Sequence, residues 1–263
     1  MQNRGGYRLG SLVLVAGVLA ASSAQALTIR FATEAAYPPY NTTLPNGKIG
    51  GFEPELIDAI CKKIQANCTI IKNDWDSAFT NLDAKKYDVV ADSVTINAER
   101  KQKWLFSTPY AKVPVSFVGK AKRFPYSYIS AMELAGRKVG VQGGSSYDTY
   151  LQKMLKNAAN VSRITYEKTD DMYKALAKGE IDVALDDMAT TQESFLKDHR
   201  KDGFEFVGSP SRDKNMVGEG VGFVVRLSDK ALKAQLDKGI EMVRQDGTLT
   251  TLAQKYFMFG IEP

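Results

Sequence analysis

The strongest constraint in this sequence is a strand–loop–helix order that runs twice. From residue 27, Leu27, Ile29 and Phe31 alternate with Thr28, Arg30 and Ala32, the period-two pattern of a strand entering a core. The strand stops at Glu34-Ala-Ala-Tyr37-Pro-Pro-Tyr40, because two prolines cannot continue a ladder. A turn signal at Pro45-Asn46-Gly47 leads into a helix with Leu56, Ile57, Ile60 and Ile64 on one face. The order recurs as a strand at 69–71, a loop at Asp74-Trp75, a helix to about residue 84 and a strand at 88–91. After Trp104, Leu105 and Phe106 and a β-rich run at 113–118, a second series begins. It has a strand at 138–141, a Gly-Gly-Ser-Ser loop, a helix through Leu155, a strand at 163–166, a helix at 171–178 and a strand at 181–185. Such a series predicts parallel strands in two α/β lobes. The last elements, at 221–225, 230–244 and 249–256, are too few for a third lobe and are expected to complete the first. The expected division is therefore 27–112 and 213–263 in one lobe and 113–212 in the other. Two crossings, near 111–114 and 212–219, would form a hinge beside a cleft suited to a small molecule.

Residues 1–26 read as an export signal: Arg4 and Arg8, an apolar run at 9–21, then Ala24-Gln25-Ala26, with cleavage expected after Ala26. The apolar run is short for a bilayer span and no stop-transfer charges follow it. No cysteine directly follows the cleavage point, so a lipid anchor there is not expected. Losing Arg4 and Arg8 lowers the formal charge from +5 to +3, and no dense Lys/Arg run points to nucleic acid. Cys61 and Cys68 are the only cysteines, and in an exported chain a disulfide is the expected state. Metal binding is the rival, but His199 is the only histidine and lies in a distant charged segment, so no metal and no cofactor are expected.

Polar residues gather where predicted strands end, which in open α/β sheets is where ligands bind. Residues 92–100, Asp-Ser-Val-Thr-Ile-Asn-Ala-Glu-Arg, follow an apolar strand and carry Asp92, Ser93, Thr95 and Arg100. The Arg100 fork can pair bidentately with a carboxylate, although an arginine in Glu99-Arg100-Lys101 can equally be solvated. Gly143-Gly144-Ser145-Ser146 opens a helix, where amides and hydroxyls could hold an anion; an ordinary serine cap is the commoner use of such a sequence. It lacks the Gly-Lys-Ser/Thr of a P-loop. Asp186-Asp187 follows a strand, and one of these acids could hold an ammonium group; as strand neighbours they point in opposite directions, which argues against a paired-acid glycosidase. Glu34 with Tyr37 and Trp75 suits a cation, unless the two aromatics are simply core.

Together these residues resemble the periplasmic solute-binding proteins of ABC importers for polar amino acids, particularly the lysine/arginine/ornithine- and histidine-binding group. The resemblance runs over essentially the whole chain after the signal. It is carried by residues 34–40, Gly50-Gly51-Phe52-Glu53, Cys61 with Cys68, and residues 93–100, 139–145, 182–187, 218–222 and 245–248. It implies an α/β, two-lobed type II periplasmic-binding-protein fold, each lobe a mainly parallel sheet flanked by helices, with the ligand in the interlobe cleft. By position, it places a ligand carboxylate on Arg100 and around Thr95 and Ser146, next to Gln142 and Ser145. It places the α-ammonium on Asp187 with Ser93, and the side chain among Glu34, Tyr37, Trp75 and Asp92. Three positions depart from the family pattern: Asp92 where serine is usual, Gln142 where an apolar residue is common, and Tyr147 where glutamine is common.

Two carboxylates in one pocket repel and are costly to desolvate, and a cationic side chain relieves both penalties. Glu34 and Asp92 are therefore expected to select arginine, lysine or ornithine. Histidine, partly charged at neutral pH, is expected to bind less well, and an arginine-derived opine is the alternative for a pocket reshaped by Asp92 and Tyr147. The rival class is a dehydratase on the same fold, because fold does not settle function. The pocket candidates offer ligand-pairing groups without a histidine base or activated nucleophile, so no enzyme activity is expected. A receptor sensor domain is not expected either, since no signalling segment follows Pro263. The resemblance also implies a membrane permease as partner, a periplasmic location and a monomer.

Overall fold

The structure, a computed structural model, describes residues 2, 27–211 and 214–262. The expected export signal and the cleavage point after Ala26 lie outside the described residues apart from Gln2, as do residues 212 and 213 of the second expected crossing.

Two five-stranded sheets organise the chain. The first runs in the order Asn67–Lys72, Thr28–Thr33, Val89–Val90, Val224–Arg226, Trp104–Phe106. The second runs Ser162–Tyr166, Lys138–Gln142, Val183–Asp187, Val115–Lys120, Phe204–Ser211. In each, four strands share one direction and one is reversed: Val224–Arg226 in the first and Val115–Lys120 in the second. Sequence periodicity anticipates the parallel strands but not these two. Each reversed strand is the one the chain forms on entering that sheet from the other, so it starts at the cleft and runs away from it. The crossing segments pair directly: Val221 donates its N–H to Ala111 O at 2.8 Å and accepts from Tyr110 N at 3.0 Å. A small three-stranded antiparallel sheet, Ala36–Tyr37, Asn41–Thr43 and Ile49–Gly50, follows the first strand.

Strand alternation feeds two cores per large sheet. Val89 packs with Ile29, Phe31 and Leu56, whereas its neighbour Val90 packs with Trp75, Leu82 and Phe106 on the other face. In the second sheet Val183 and Leu185 join one cluster and Ala184 the other. Helix Phe52–Ile64 buries Phe52, Leu56, Ile57 and Ile60 at three- and four-residue spacing, with Glu53 and Glu55 in its first turn and Lys62 and Lys63 in its last, as the helix dipole favours. It packs against helix Lys230–Gln245, where Gly239 permits the approach: a Cβ there would lie 2.5 Å from Ile60 Cγ2. The strand Val224–Arg226 and these C-terminal helices thus belong to the first sheet and its core. Cys61, near the end of helix Phe52–Ile64, is disulfide-bonded to Cys68 on the adjacent strand.

Candidate ligand site in the cleft

Strands ending at the cleft deliver the polar residues. Glu34 follows strand Thr28–Thr33, Trp75 opens the turn Trp75–Ser77 after strand Asn67–Lys72, and Asp92 and Ser93 follow strand Val89–Val90. From the second sheet, Gln142 ends strand Lys138–Gln142 and Ser146 begins helix Ser146–Met154. A small cavity in the cleft is lined by Glu34, Tyr37, Trp75, Asp92, Ser93, Thr95, Arg100, Gln142, Ser145, Ser146 and Tyr147. Of the residues expected from sequence, all but Asp187 line it, and Tyr147 joins them.

Arg100 sits in the short helix Ala98–Lys101, capped by Asn97 Oδ1, which accepts Arg100 N at 2.9 Å. Arg100 is only 9 % exposed. Nη1 donates to Thr95 O at 3.1 Å and Nη2 to Gly144 O at 3.2 Å, and the guanidinium lies 5.5 Å from the ring centroids of Trp75 and Phe79. A guanidinium has five N–H donors, so these two bonds fix its orientation and leave capacity for a ligand oxygen. Burial lowers its pKa to about 10, which keeps it protonated at neutral pH. Thr95 Oγ1 and Ser146 Oγ lie 2.9 Å apart beside it, at the amino end of a nine-residue helix. Ser145 has the commoner role: its hydroxyl caps that helix, accepting Asp148 N at 3.0 Å, and donates to Gln142 O at 2.8 Å. Gly144 adopts φ 68°, a left-handed conformation glycine takes without strain, and a Cβ there would sit 3.6 Å from Trp75 Nε1. Trp75 Nε1 donates to Gly143 O at 3.0 Å, so the indole bridges the two lobes.

The acids are buried and held by neutral donors. Glu34, 3 % exposed, accepts Gln142 Nε2 at 3.1 Å across the cleft, and burial pushes its carboxyl up to about 7. Gln142 also donates to Glu167 O at 3.1 Å. Asp92 takes three donors: Glu34 N at 3.0 Å on Oδ2, with Asn41 Nδ2 at 3.0 Å and the Thr33 hydroxyl at 3.3 Å on Oδ1. Its pKa is raised, first by burial and then by Glu53 and Glu34. Asn41 Nδ2 also donates to Glu53 Oε2 at 2.8 Å, and Glu53 Oε1 accepts Ser93 N at 2.7 Å and the Tyr110 hydroxyl. That acceptor holds Ser93 at φ 47°, a strained left-handed turn at the strand end. Glu53 and Asn41 are both fully buried, and sequence reading missed them as parts of this site. Glu53 looks like an ordinary first-turn acid, and only its position after Gly50-Gly51-Phe52 in the family pattern marked it.

Asp187 is placed differently from the other expected residues. Its Oδ1 caps helix Met188–Thr191, accepting Ala189 N at 2.7 Å and Thr190 N at 3.2 Å, and its Oδ2 accepts the Tyr40 hydroxyl at 3.1 Å. Burial, followed by the neighbouring Asp186, raises it to about 7. Tyr37 donates to Asp186 Oδ1 at 2.6 Å.

The chain is similar to known proteins over most of its length. Residues 29–259 match the family of bacterial extracellular solute-binding proteins, family 3. The putative ABC transporter arginine-binding protein 2 of Escherichia coli K12 is 34 % identical over 248 residues, 93 % of this chain and 98 % of that protein. The lysine/arginine/ornithine-binding periplasmic protein of the same organism is 33 % identical over 254 residues, 95 % of this chain and 96 % of that protein. An ancestral arginine-binding protein solved with arginine superposes with a TM-score of 0.79 at 31 % identity, covering 88 % of this chain and 98 % of that one. The fold is the two-lobed α/β architecture of periplasmic amino-acid-binding proteins, and the chain belongs to the bacterial extracellular solute-binding proteins, family 3.

Proposed function

We propose that this chain is the periplasmic capture component of an ABC importer, binding a basic L-amino acid, with arginine foremost and lysine and ornithine next, by hinge closure and handing it to a membrane permease. The observation that carries the reading is the charge pattern of one cavity: a buried, protonated Arg100 flanked by Thr95, Ser146 and a helix amino end, together with the buried acids Glu34 and Asp92. That pattern complements a zwitterion bearing a cationic side chain. In this reading Arg100, Thr95 and Ser146, with Gln142 and Ser145 supporting their loop, hold the α-carboxylate. Asp187 and Ser93 take the α-ammonium, with Asp187 sharing the Oδ2 that receives Tyr40. Glu34 faces the cationic side chain between Tyr37 and Trp75, while Asp92 adds negative potential and orders the Glu34 backbone.

The lobes are taken as 27–112 with 213–263 and as 113–212, joined where Ala111 pairs with Val221. The protein acts as an exported monomer after cleavage behind Ala26, without cofactor or turnover. Relatives named as arginine and lysine/arginine/ornithine binders support this assignment. Among the described residues no helix is long and apolar enough to cross a membrane.

The test is calorimetric titration of ligand-stripped protein with arginine, lysine, ornithine, histidine, citrulline, glutamine and an arginine opine. Tightest binding of a basic amino acid supports the reading, and preference for a neutral amino acid refutes it. Conversion of prephenate or arogenate to an aromatic product would place the chain among enzymes instead.

A further inference from the structure

Asp186 lines no part of the cavity, yet it is 2 % exposed and collects three hydrogen bonds. Oδ1 accepts the Tyr37 hydroxyl at 2.6 Å and Asp187 N at 2.8 Å, and Oδ2 accepts the Tyr173 hydroxyl at 2.7 Å. Tyr173 is anchored in turn by Thr191 Oγ1 at 3.0 Å. Two of these partners belong to the second sheet and its helices. Tyr37 does not: it ends strand Ala36–Tyr37 and packs in the core of the first sheet with Tyr40 and Phe52. Tyr40, stacked on Tyr37 with centroids 5.7 Å apart, makes the neighbouring bond to Asp187.

We propose that Asp186 is a positioning residue for closure: by accepting the Tyr37 hydroxyl across the cleft, it ties the Ala36–Tyr37 hairpin to the end of strand Val183–Asp187 and strengthens closure on any ligand alike. The inference rests on reading the cavity as an amino-acid site closed by a hinge. A bond made between lobes and not to the ligand acts on the open/closed population, so its effect is the same for every ligand that closes the cleft. Selectivity then stays with Glu34 and its neighbours, and affinity as a whole is set partly by this clasp. The acceptor is charge-assisted only while Asp186 is ionised. Burial raises its carboxyl to about 6, and the groups facing it are the hydroxyls of Tyr37, Tyr173 and Tyr147, the Asp187 carboxyl and the Asp187 amide. Falling pH through that value converts a carboxylate acceptor into a weaker carboxyl one.

A double-mutant cycle with Tyr37→Phe and Asp186→Asn, read by calorimetry with arginine, lysine and glutamine, tests this. Tyr37→Phe is expected to weaken all three ligands by a common factor of roughly tenfold, the scale of one hydrogen bond to a charged group. In the Asp186→Asn background, where a weaker, uncharged amide oxygen remains as acceptor, the same change should cost distinctly less than tenfold, and the coupling should shrink below about pH 6. An equal loss in both backgrounds, a loss that differs between ligands, or a coupling independent of pH would overturn the proposal. A second reading needs no amino acid to bind: spin labels at Met132→Cys and Met258→Cys, 80 % and 83 % exposed, report the separation of the lobes. Distance distributions broader than those of the unaltered protein in each single variant, with no further broadening in the double, support the clasp even if the ligand assignment fails. Unchanged distributions count against it.

Discussion

Arginine binding should expel a proton from Glu34. Burial holds this carboxyl at about 7, well above its ordinary 4.5, with the Gln142 amide as its hydrogen-bond donor. A guanidinium placed beside it favours the ionised form and moves the pKa back toward the ordinary value. A full return spans about 2.5 pH units, or about 3 kcal/mol at 1.36 kcal/mol per unit, which is the upper figure for the linkage. The sign follows directly: the group must lose its proton to receive the cation, so arginine affinity rises with pH from about 4.5 and levels off above about 7. At about pH 6 the carboxyl is roughly nine-tenths protonated before arginine arrives and almost wholly ionised afterwards, so about 0.9 proton leaves per arginine bound. Calorimetry in buffers of different ionisation enthalpy measures that number. Glutamine is the control, because any proton released at Asp187 by the α-ammonium is common to both ligands and cancels in the difference. Equal proton release by arginine and glutamine, or an arginine excess that survives Glu34→Gln, would refute the assignment of Glu34 to the cationic side chain.

Arg100→Ala should abolish binding of every α-amino acid alike, since it removes the buried donor set common to them; titration showing loss for only one ligand would contradict its role. Asp92→Ser should lower the arginine-to-glutamine affinity ratio. It should also lower the unfolding temperature, because Glu34 N–H and the Asn41 amide lose an acceptor, at about 1–3 kcal/mol for each buried group left unpaired. An unchanged ratio would confine Asp92 to a structural role. Ser145→Ala should cost about 1 kcal/mol of stability in thermal denaturation through loss of the helix cap, with ligand preference unaltered.

Much of this protein is legible in its sequence, because the informative patterns are local. Strand alternation and helical spacing locate the βα units from neighbours a few residues apart, and the polar clusters after those strands mark the cleft. Boundaries moved only slightly: the expected strand at 181–185 is Val183–Asp187, which carries the two acids inside the strand end, and the expected helix at 171–178 is Thr169–Lys178. The reversed strands were not legible, because direction depends on where the chain enters a sheet. Nor were the partners of individual side chains. Asp92 reads in sequence as a second free acid in the pocket, whereas folding supplies it with donors from residues 33, 34 and 41, more than fifty positions earlier. Asp187 reads as an open ammonium site, and folding makes it a helix cap that also receives Tyr40. The bond from Tyr37 to Asp186 joins residues 149 apart. The sequence alone therefore determined which elements form and where charge concentrates, since those follow from short-range periodicity and strand termini. Which acid is satisfied and which one clasps the lobes depends on distances between residues remote in the chain, and only the packed tertiary structure brings those groups within hydrogen-bonding reach.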